Sequence, residues 1–161
     1  MQAAGINPEV LSLRFWTTVI TILIIDQLSK LWLAGKLALN ESIPIIDGIF
    51  SLNYVHNRGA AFGMLQGKSW LFLTMAALVV GAMIYYNYRY YSKPWGQYAM
   101  GLIVGGTIGN VIDRLYLGSV RDFFSISWFA VFNVADMAIT TGGALVLLYI
   151  FINDIGNEQK V

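Results

Sequence analysis

The stretch "FNVADMAITTGGALVLLYIF", Phe132 to Phe151, is an apolar run with a carboxylate, Asp136, and an amide, Asn133, at its head. Its length is what a helix needs to cross the hydrocarbon of a bilayer, about 20 residues. A charge in such a span costs roughly 2.5 to 3.5 kcal/mol on insertion scales, so an acid kept there signals function by default. No basic residue within the stretch neutralises Asp136. The meaning of that acid has to come from the rest of the chain.

Of 161 residues, 57% are hydrophobic and only 12% are charged, with mean hydropathy +0.62. Soluble domains carry about twice that share of charge, so the composition indicates an integral membrane protein. The length suits one compact unit, expected over 1–161 as a single membrane domain. A formal net charge of +1 offers no basic patch for nucleic acid. The absence of cysteine excludes thiolate nucleophiles, disulfides and cysteine-held metals. One histidine, His56, does not build a metal site unaided and reads as an ordinary loop residue. The apolar run from Val10 has no small-residue cleavage site and continues into "DQLSK", so it is expected to stay as a span.

Four segments qualify as spans: 11–37, 69–88, 96–117 and 133–153. The link "RYYSKPW" holds Arg89 and Lys93 without an acid, which places it in the cytoplasm. Both termini then face the cytoplasm, and the loops 40–68 and 118–132 face outward. Tyr85, Tyr86, Tyr88, Tyr90, Tyr91 and Trp95 form an aromatic belt at the cytoplasmic interface. The first outer loop, "IPIIDGIFSLNYVHNRGAAFGML", mixes β-branched and aromatic residues with Gly48 and Gly59, predicting a small sheet. The second, "GSVRDFFSISWFAVF", is aromatic and amphipathic and predicts a short interfacial helix or a flap. The fold class expected is therefore mainly α and polytopic: four transmembrane helices, a small outer β-sheet and a short outer helix. Gly101, Gly105 and Gly109 form a small-residue stripe for close helix approach, with Gly142 and Gly143 of the fourth span as its expected receivers.

Polar residues gather at the outward ends of the spans. Asp26 and Lys30 lie one turn apart; Asn110, Asp113 and Arg114 share a face; Asn133 and Asp136 share another; Asp122 lies in the link between the last two spans. Each has a plain reading. Asp26 and Lys30 make an i,i+4 ion pair, Asp113 and Arg114 are scaffold groups, Asn110 and Asn133 link helices, and Asn133 with Asp136 caps the fourth helix. The chemical reading rests on Asp122 and Asp136. Two carboxyls held close together cannot both ionise cheaply and share a proton near neutral pH. The charged member then takes a proton from water while the protonated member polarises an amide carbonyl. That hydrolyses a peptide without metal, thiol or serine.

The blocks "DQLSK" (26–30), "NRGAAFG" (57–63), "GGTIGNVIDR" (105–114), "VRDFF" (120–124) and "FNVAD" (132–136) resemble, in order, the motifs of signal peptidase II, the lipoprotein signal peptidases. The resemblance implies four helices with a small periplasmic sheet and a short outer helix, in the bacterial inner membrane. It implies Asp122 and Asp136 as the catalytic pair, with Asp26, Lys30, Asn57, Asn110, Arg114 and Asn133 as the polar shell around pair and substrate. The role of Asp113 stays open. The implied substrate is a diacylglyceryl-modified prolipoprotein, cut before its lipidated cysteine; the implied inhibitor is globomycin. Membrane lipids are the other expected partners, with no cofactor, no metal and a monomeric state. Three other readings stand beside it: a serine–lysine peptidase using Lys30 as base, an ion- or proton-coupled transporter with buried acids, and a non-enzymatic lipid-binding scaffold, which would need no second aspartate.

Overall fold

The computed structural model describes residues 8–59, 65–89 and 94–158. Ala60 to Gly63 of the "NRGAAFG" block, Tyr90, Tyr91, Lys93 and Lys160 lie outside them. The elements are α1 (Pro8–Ala34), β1 (Ser42–Ile46), β2 (Phe50–Asn57), α2 (Ser69–Arg89), α3 (Pro94–Leu117), β3 (Val120–Ile126) and α4 (Val134–Glu158). Leu13–Ala34 and Ser69–Arg89 are long and apolar enough to cross a membrane.

The packing is inverted relative to a water-soluble bundle. On α1, Asp26 and Lys30 are 0% exposed while Leu28 and Leu31 are 60% and 61% exposed. Nothing on α2 is fully buried, although it is almost wholly apolar. Where lipid is the solvent there is no drive to hide leucine, and polar groups turn inward instead.

The central helix is α3, packed on α1, α2 and α4. Its glycines set the distances. A methyl group on Gly101 would stand 2.7 Å from Thr18 Cβ, and one on Gly105 would stand 2.9 Å from the Val19 carbonyl oxygen. The stripe Gly101–Gly105–Gly109 therefore receives α1, not α4 as the spacing suggested. The fourth helix rests on Gly106, which meets the Ala135 carbonyl. Of the two expected receivers, Gly142 admits α3 at Ala99 and Ile103, while Gly143 faces open space. Helical glycines four apart define one face, but only the assembled bundle decides which neighbour that face meets. Between the helices, Phe15, Val19, Met100 and Val104 form a buried cluster.

β1, β2 and β3 form one antiparallel sheet in that order. Gly48, at φ +70°, makes the β1–β2 turn. The segment 118–132 holds β3 rather than the expected short helix. Its Val120, Phe123, Phe124 and Ile126 are β-formers, and the ladder of β2 satisfies the backbone groups that a helix this short would leave unpaired at its two ends. Phe123, 1% exposed, stacks on Tyr54 at 4.9 Å and packs with Leu33 and Leu37, so the sheet sits on the end of α1. His56 belongs to β2, bonded to Tyr54 (2.9 Å) and Ser119 (3.1 Å), rather than to an irregular loop.

Gly109→Ala drives a methyl into the Asp26 carboxylate. It is expected to cost about 1–3 kcal/mol of stability, as overpacked cores do. Gly143→Ala, in open space, is expected to be neutral or slightly stabilising. Thermal unfolding of the two variants in the same detergent checks the contrast.

Candidate active site

The end of α3 and the start of β3 are held back to back. Gly118, at φ +68°, stops the helix with its N–H donated to the Arg114 carbonyl (3.1 Å). Three residues later Arg121 turns back. It donates its backbone N–H to Asp113 Oδ2 (2.9 Å), its Nε to the same oxygen (3.2 Å), and its Nη2 to Oδ1 (2.7 Å). The fork holds the Arg121 guanidinium above its ordinary range against the cost of burial. Asp122, next in the chain, is thereby aimed along the sheet face toward Asn57. The β2–β3 register pairs Asp122 with Val55 across a bulge, which makes Asn57 its diagonal neighbour on the same face.

Asp122 is 1% exposed, and both of its oxygens accept an amide. Asn133 donates Nδ2 to Oδ1 (2.7 Å), and Asn57 donates Nδ2 to Oδ2 (2.9 Å). Burial first, and the nearby charge of Asp136 second, push its carboxyl up to about 7. At neutral pH it is poised between its two forms.

Asp136 sits in the first turn of α4. Asn133 accepts its backbone N–H through Oδ1 (2.9 Å), and Asp136 Oδ2 accepts the Asn133 N–H in return (3.2 Å). That is a reciprocal capping box. The second oxygen of Asp136 accepts from Asn110 Nδ2 (2.8 Å). Capping and proximity to Asp122 are thus one arrangement: the cap fixes the acid that faces the cleft. Another N–H of the same turn, that of Ala135, goes to Asp26 Oδ1 (3.0 Å) on α1.

Beneath the pair lies a buried ion network. Lys30 reaches Asp26 (2.8 Å), Asn110 Oδ1 (3.0 Å) and Asp113 (3.5 Å). Three acceptors occupy its ammonium, and Ser29 donates to the Asp26 carbonyl of its own helix (2.8 Å). Lys30 is therefore engaged by two acids and an amide, while Ser29 is turned to its own helix backbone. Arg114 lies over the Phe72 ring (4.6 Å to its centre) and donates to the carbonyls of Gly59 (3.3 Å) and Asn110 (3.4 Å). Four acids (Asp26, Asp113, Asp122, Asp136) meet three bases (Lys30, Arg114, Arg121) in one region. One proton on the Asp122–Asp136 pair makes the cluster electrically neutral, the state a poorly solvated site favours.

Both acids line a cleft of about 250 Å³. Asn57, Asn110, Arg114, Asp122 and Asp136 line it, with Phe129 and Ile139 on its apolar walls. Asn133, Lys30 and Asp26 stand behind. The eight residues singled out in the sequence thus come together, and Asp113 takes its place as the anchor of Arg121. Gln27 and Arg121 were missed as separate contributors. Gln27 donates to Asp26 (3.0 Å) and the Gly109 carbonyl (3.1 Å) and accepts from Arg121 (3.3 Å). The available signal was adjacency, since each borders an acid of a quoted block. Among the described residues, no group of three or more His, Cys, Asp or Glu is placed to hold a metal ion.

A family model described as signal peptidase (SPase) II matches residues 18–152. The chain is 44% identical over 148 residues to a lipoprotein signal peptidase of Syntrophomonas wolfei, covering 92% of this chain and 99% of that one. It is 43% identical over 147 residues to a lipoprotein signal peptidase of Streptococcus pyogenes serotype M1, covering 89% and 97%. A solved bacterial membrane enzyme, determined by the in meso method at 2.3 Å, superposes with a TM-score of 0.81 at 28% identity, over 89% of this chain and 90% of that one.

Removing the guanidinium leaves Asp113 with Lys30 at 3.5 Å as its remaining cation. Arg121→Leu is expected to lower stability by about 3–5 kcal/mol, the usual loss when one partner of a buried pair is deleted. Asp113→Asn with Arg121 intact is expected to destabilise as well, because it strands the other charge. Denaturation in detergent micelles measures both.

Proposed function

This chain belongs to the signal peptidase II family, and on that premise we propose that it is an aspartic endopeptidase working through Asp122 and Asp136. It removes signal peptides from prolipoproteins. The observation that carries the catalytic reading is the pair of carboxyls, each held by amides, lining one cleft. The pair holds one proton near neutral pH, a property of the two groups together. The ionised carboxylate takes a proton from water, whose oxygen attacks the scissile carbonyl. The protonated partner donates to the carbonyl oxygen as it becomes an oxyanion. Collapse of the tetrahedral intermediate sends a proton to the leaving amine and regenerates the shared-proton state.

Asn57, Asn110 and Asn133 position the acids, Asp26 and Lys30 brace Asn110 and the first turn of α4, and Arg114 faces the cleft as a donor for substrate carbonyls. The substrate carries a diacylglyceryl group on the cysteine that follows the cut bond. An apolar groove of about 410 Å³ beside Asp136, walled by Trp128, Phe129, Phe132 and Met137, suits acyl chains. Lateral arrival fits a site at headgroup depth with a cover that limits water. In this reading all four helices span the bacterial inner membrane, both termini are cytoplasmic, and the sheet and cleft face the periplasm. Of the expected cytoplasmic aromatic belt, Tyr85, Tyr86 and Tyr88 are exposed, as residues at an interface would be. The protein acts as a monomer, and a globomycin-like cyclic peptide occupies the cleft.

Asp122→Asn and Asp136→Asn are each expected to lower cleavage of a diacylglyceryl-modified peptide by about 10²–10⁴-fold or more, with the helical circular dichroism retained. Activity in both variants, with loss only on Lys30→Ala, would overturn the assignment in favour of a serine–lysine peptidase. Proton flux in liposomes without any hydrolysis would favour a transporter.

The pH dependence has a defined sign. Raising pH through about 7 strips the shared proton, with Asp122 the group raised to that range, so kcat/KM falls on the alkaline side. Lowering pH puts a second proton on the pair and removes the base, so it falls on the acid side too. A kcat/KM profile flat from pH 5 to 9 counts against a dyad.

A further inference from the structure

Asp122 stands at a neck between two clefts. The first, described above, runs from Asp122 to Asp136, Arg114, Ile139 and Thr140, along α3 and α4. The second, about 340 Å³, opens on the other side of Asp122, with His56, Arg58 and Gln66 on its rim. The two share Asn57, Asp122, Ala130 and Val131, so they meet at the reactive carboxyl. Every described residue lining the second cleft comes from β2, β3 or the connections outside the four helices. The apolar groove of Trp128, Phe132 and Met137 lies on the Asp136 side. Across the neck, then, the helix side chains and aromatic rings of the first cleft drop out, and His56, Arg58 and Gln66 make a polar rim over Val55, Ala130 and Val131.

A polypeptide cut here has two ends of opposite solvent preference. The signal segment and the lipid-bearing residue belong with the apolar side, while the chain beyond the lipidated residue is soluble and needs a polar way out. The geometry points to the second cleft as the channel for the mature part of the substrate, the residues following the lipidated cysteine. Extended chain advances about 3.3 Å per residue, so the first few of them pass the rim. Arg58 and His56 are exposed. Among the described residues no ion pair engages Arg58, which leaves its guanidinium available to an incoming acid. Arg58 is thereby a specificity-determining residue: it favours aspartate or glutamate just after the cysteine and disfavours lysine and arginine, as complementary charge at a partly solvated rim does.

This inference rests on the endopeptidase reading, and its test separates the two. The full-length protein in detergent micelles is given diacylglyceryl-modified peptides that are identical through the cysteine and carry Asp, Ser or Lys at the second and third residues after it. The expected ratio of kcat/KM, Asp over Lys, is about 2–5-fold, the range for exposed charge pairs. It should shrink with added salt and invert in Arg58→Glu. Because the ratio is internal to each protein, differences in folded yield cancel. Efficient cutting of all three peptides at one rate overturns the exit channel and leaves the peptidase standing; failure to cut even the Ser peptide overturns the endopeptidase reading itself. Should Arg58→Glu not fold, a photoreactive residue placed third after the cysteine decides the matter on the Asp136→Asn protein. Cross-links to the 55–58 and 66 region support the channel, and cross-links confined to α2 or α4 overturn it.

Discussion

The structure depends on cancelling charge where water is scarce. Asp26, Lys30, Asp113 and Arg121 lie at or below 9% exposure, and none of them survives there without the others. The Asp113–Arg121 fork folds the start of β3 against the end of α3, and that fold aims Asp122. The Asp26–Lys30 pair joins α1 to Asn110 on α3 and to the first turn of α4, and that turn carries Asp136. Two ion pairs, one on each side, therefore set the positions of both acids. Neither pair needs to contribute much net stability to do this; what matters is that the alternatives leave a charge buried alone.

Between the two sides stands Asn133. Its Nδ2 donates to Asp122 (2.7 Å) and to Asn110 (3.1 Å), while its Oδ1 and backbone N–H close the cap with Asp136. One amide side chain thus touches both acids. An asparagine suits the post because it donates and accepts without adding charge. A charged residue there would alter the proton balance of the pair. The cap, the sheet register and the glycine-tight helix contacts fix both acids within the fold, which is the preorganisation the proposed chemistry requires.

The apolar exterior serves the same end. With lipid as solvent, glycine contacts and polar bonds hold the helices together beside the small apolar cluster of Phe15, Val19, Met100 and Val104. The polar cluster is at once an adhesive of the bundle and the floor of the cleft. This explains how a short chain with little soluble structure holds seven ionisable groups together. The sheet adds what helices alone do not supply, a wall with a polar face next to the acids and an aromatic face, Tyr54 and Phe123, against the end of α1.

Local pattern in the sequence determined the helices, the presence of a sheet in the 40–68 segment, and which acids and amides were singled out as a group. Those features show through because apolar length, helical spacing and the rarity of charge in an apolar chain are properties of neighbouring residues. The same logic set Asn133 with Asp136 as a cap. The tertiary structure alone decided what depends on distant partners. It paired 118–132 as a strand because β2 supplies the backbone bonds, turned the glycine stripe toward α1 instead of α4, and made Arg121 and Gln27 part of the network. It also merged two readings that looked exclusive, helix cap and cleft acid, in a single carboxylate. A side chain's neighbours one turn away are written in the chain, but the cost of burying its charge is settled only by what lies across the bundle.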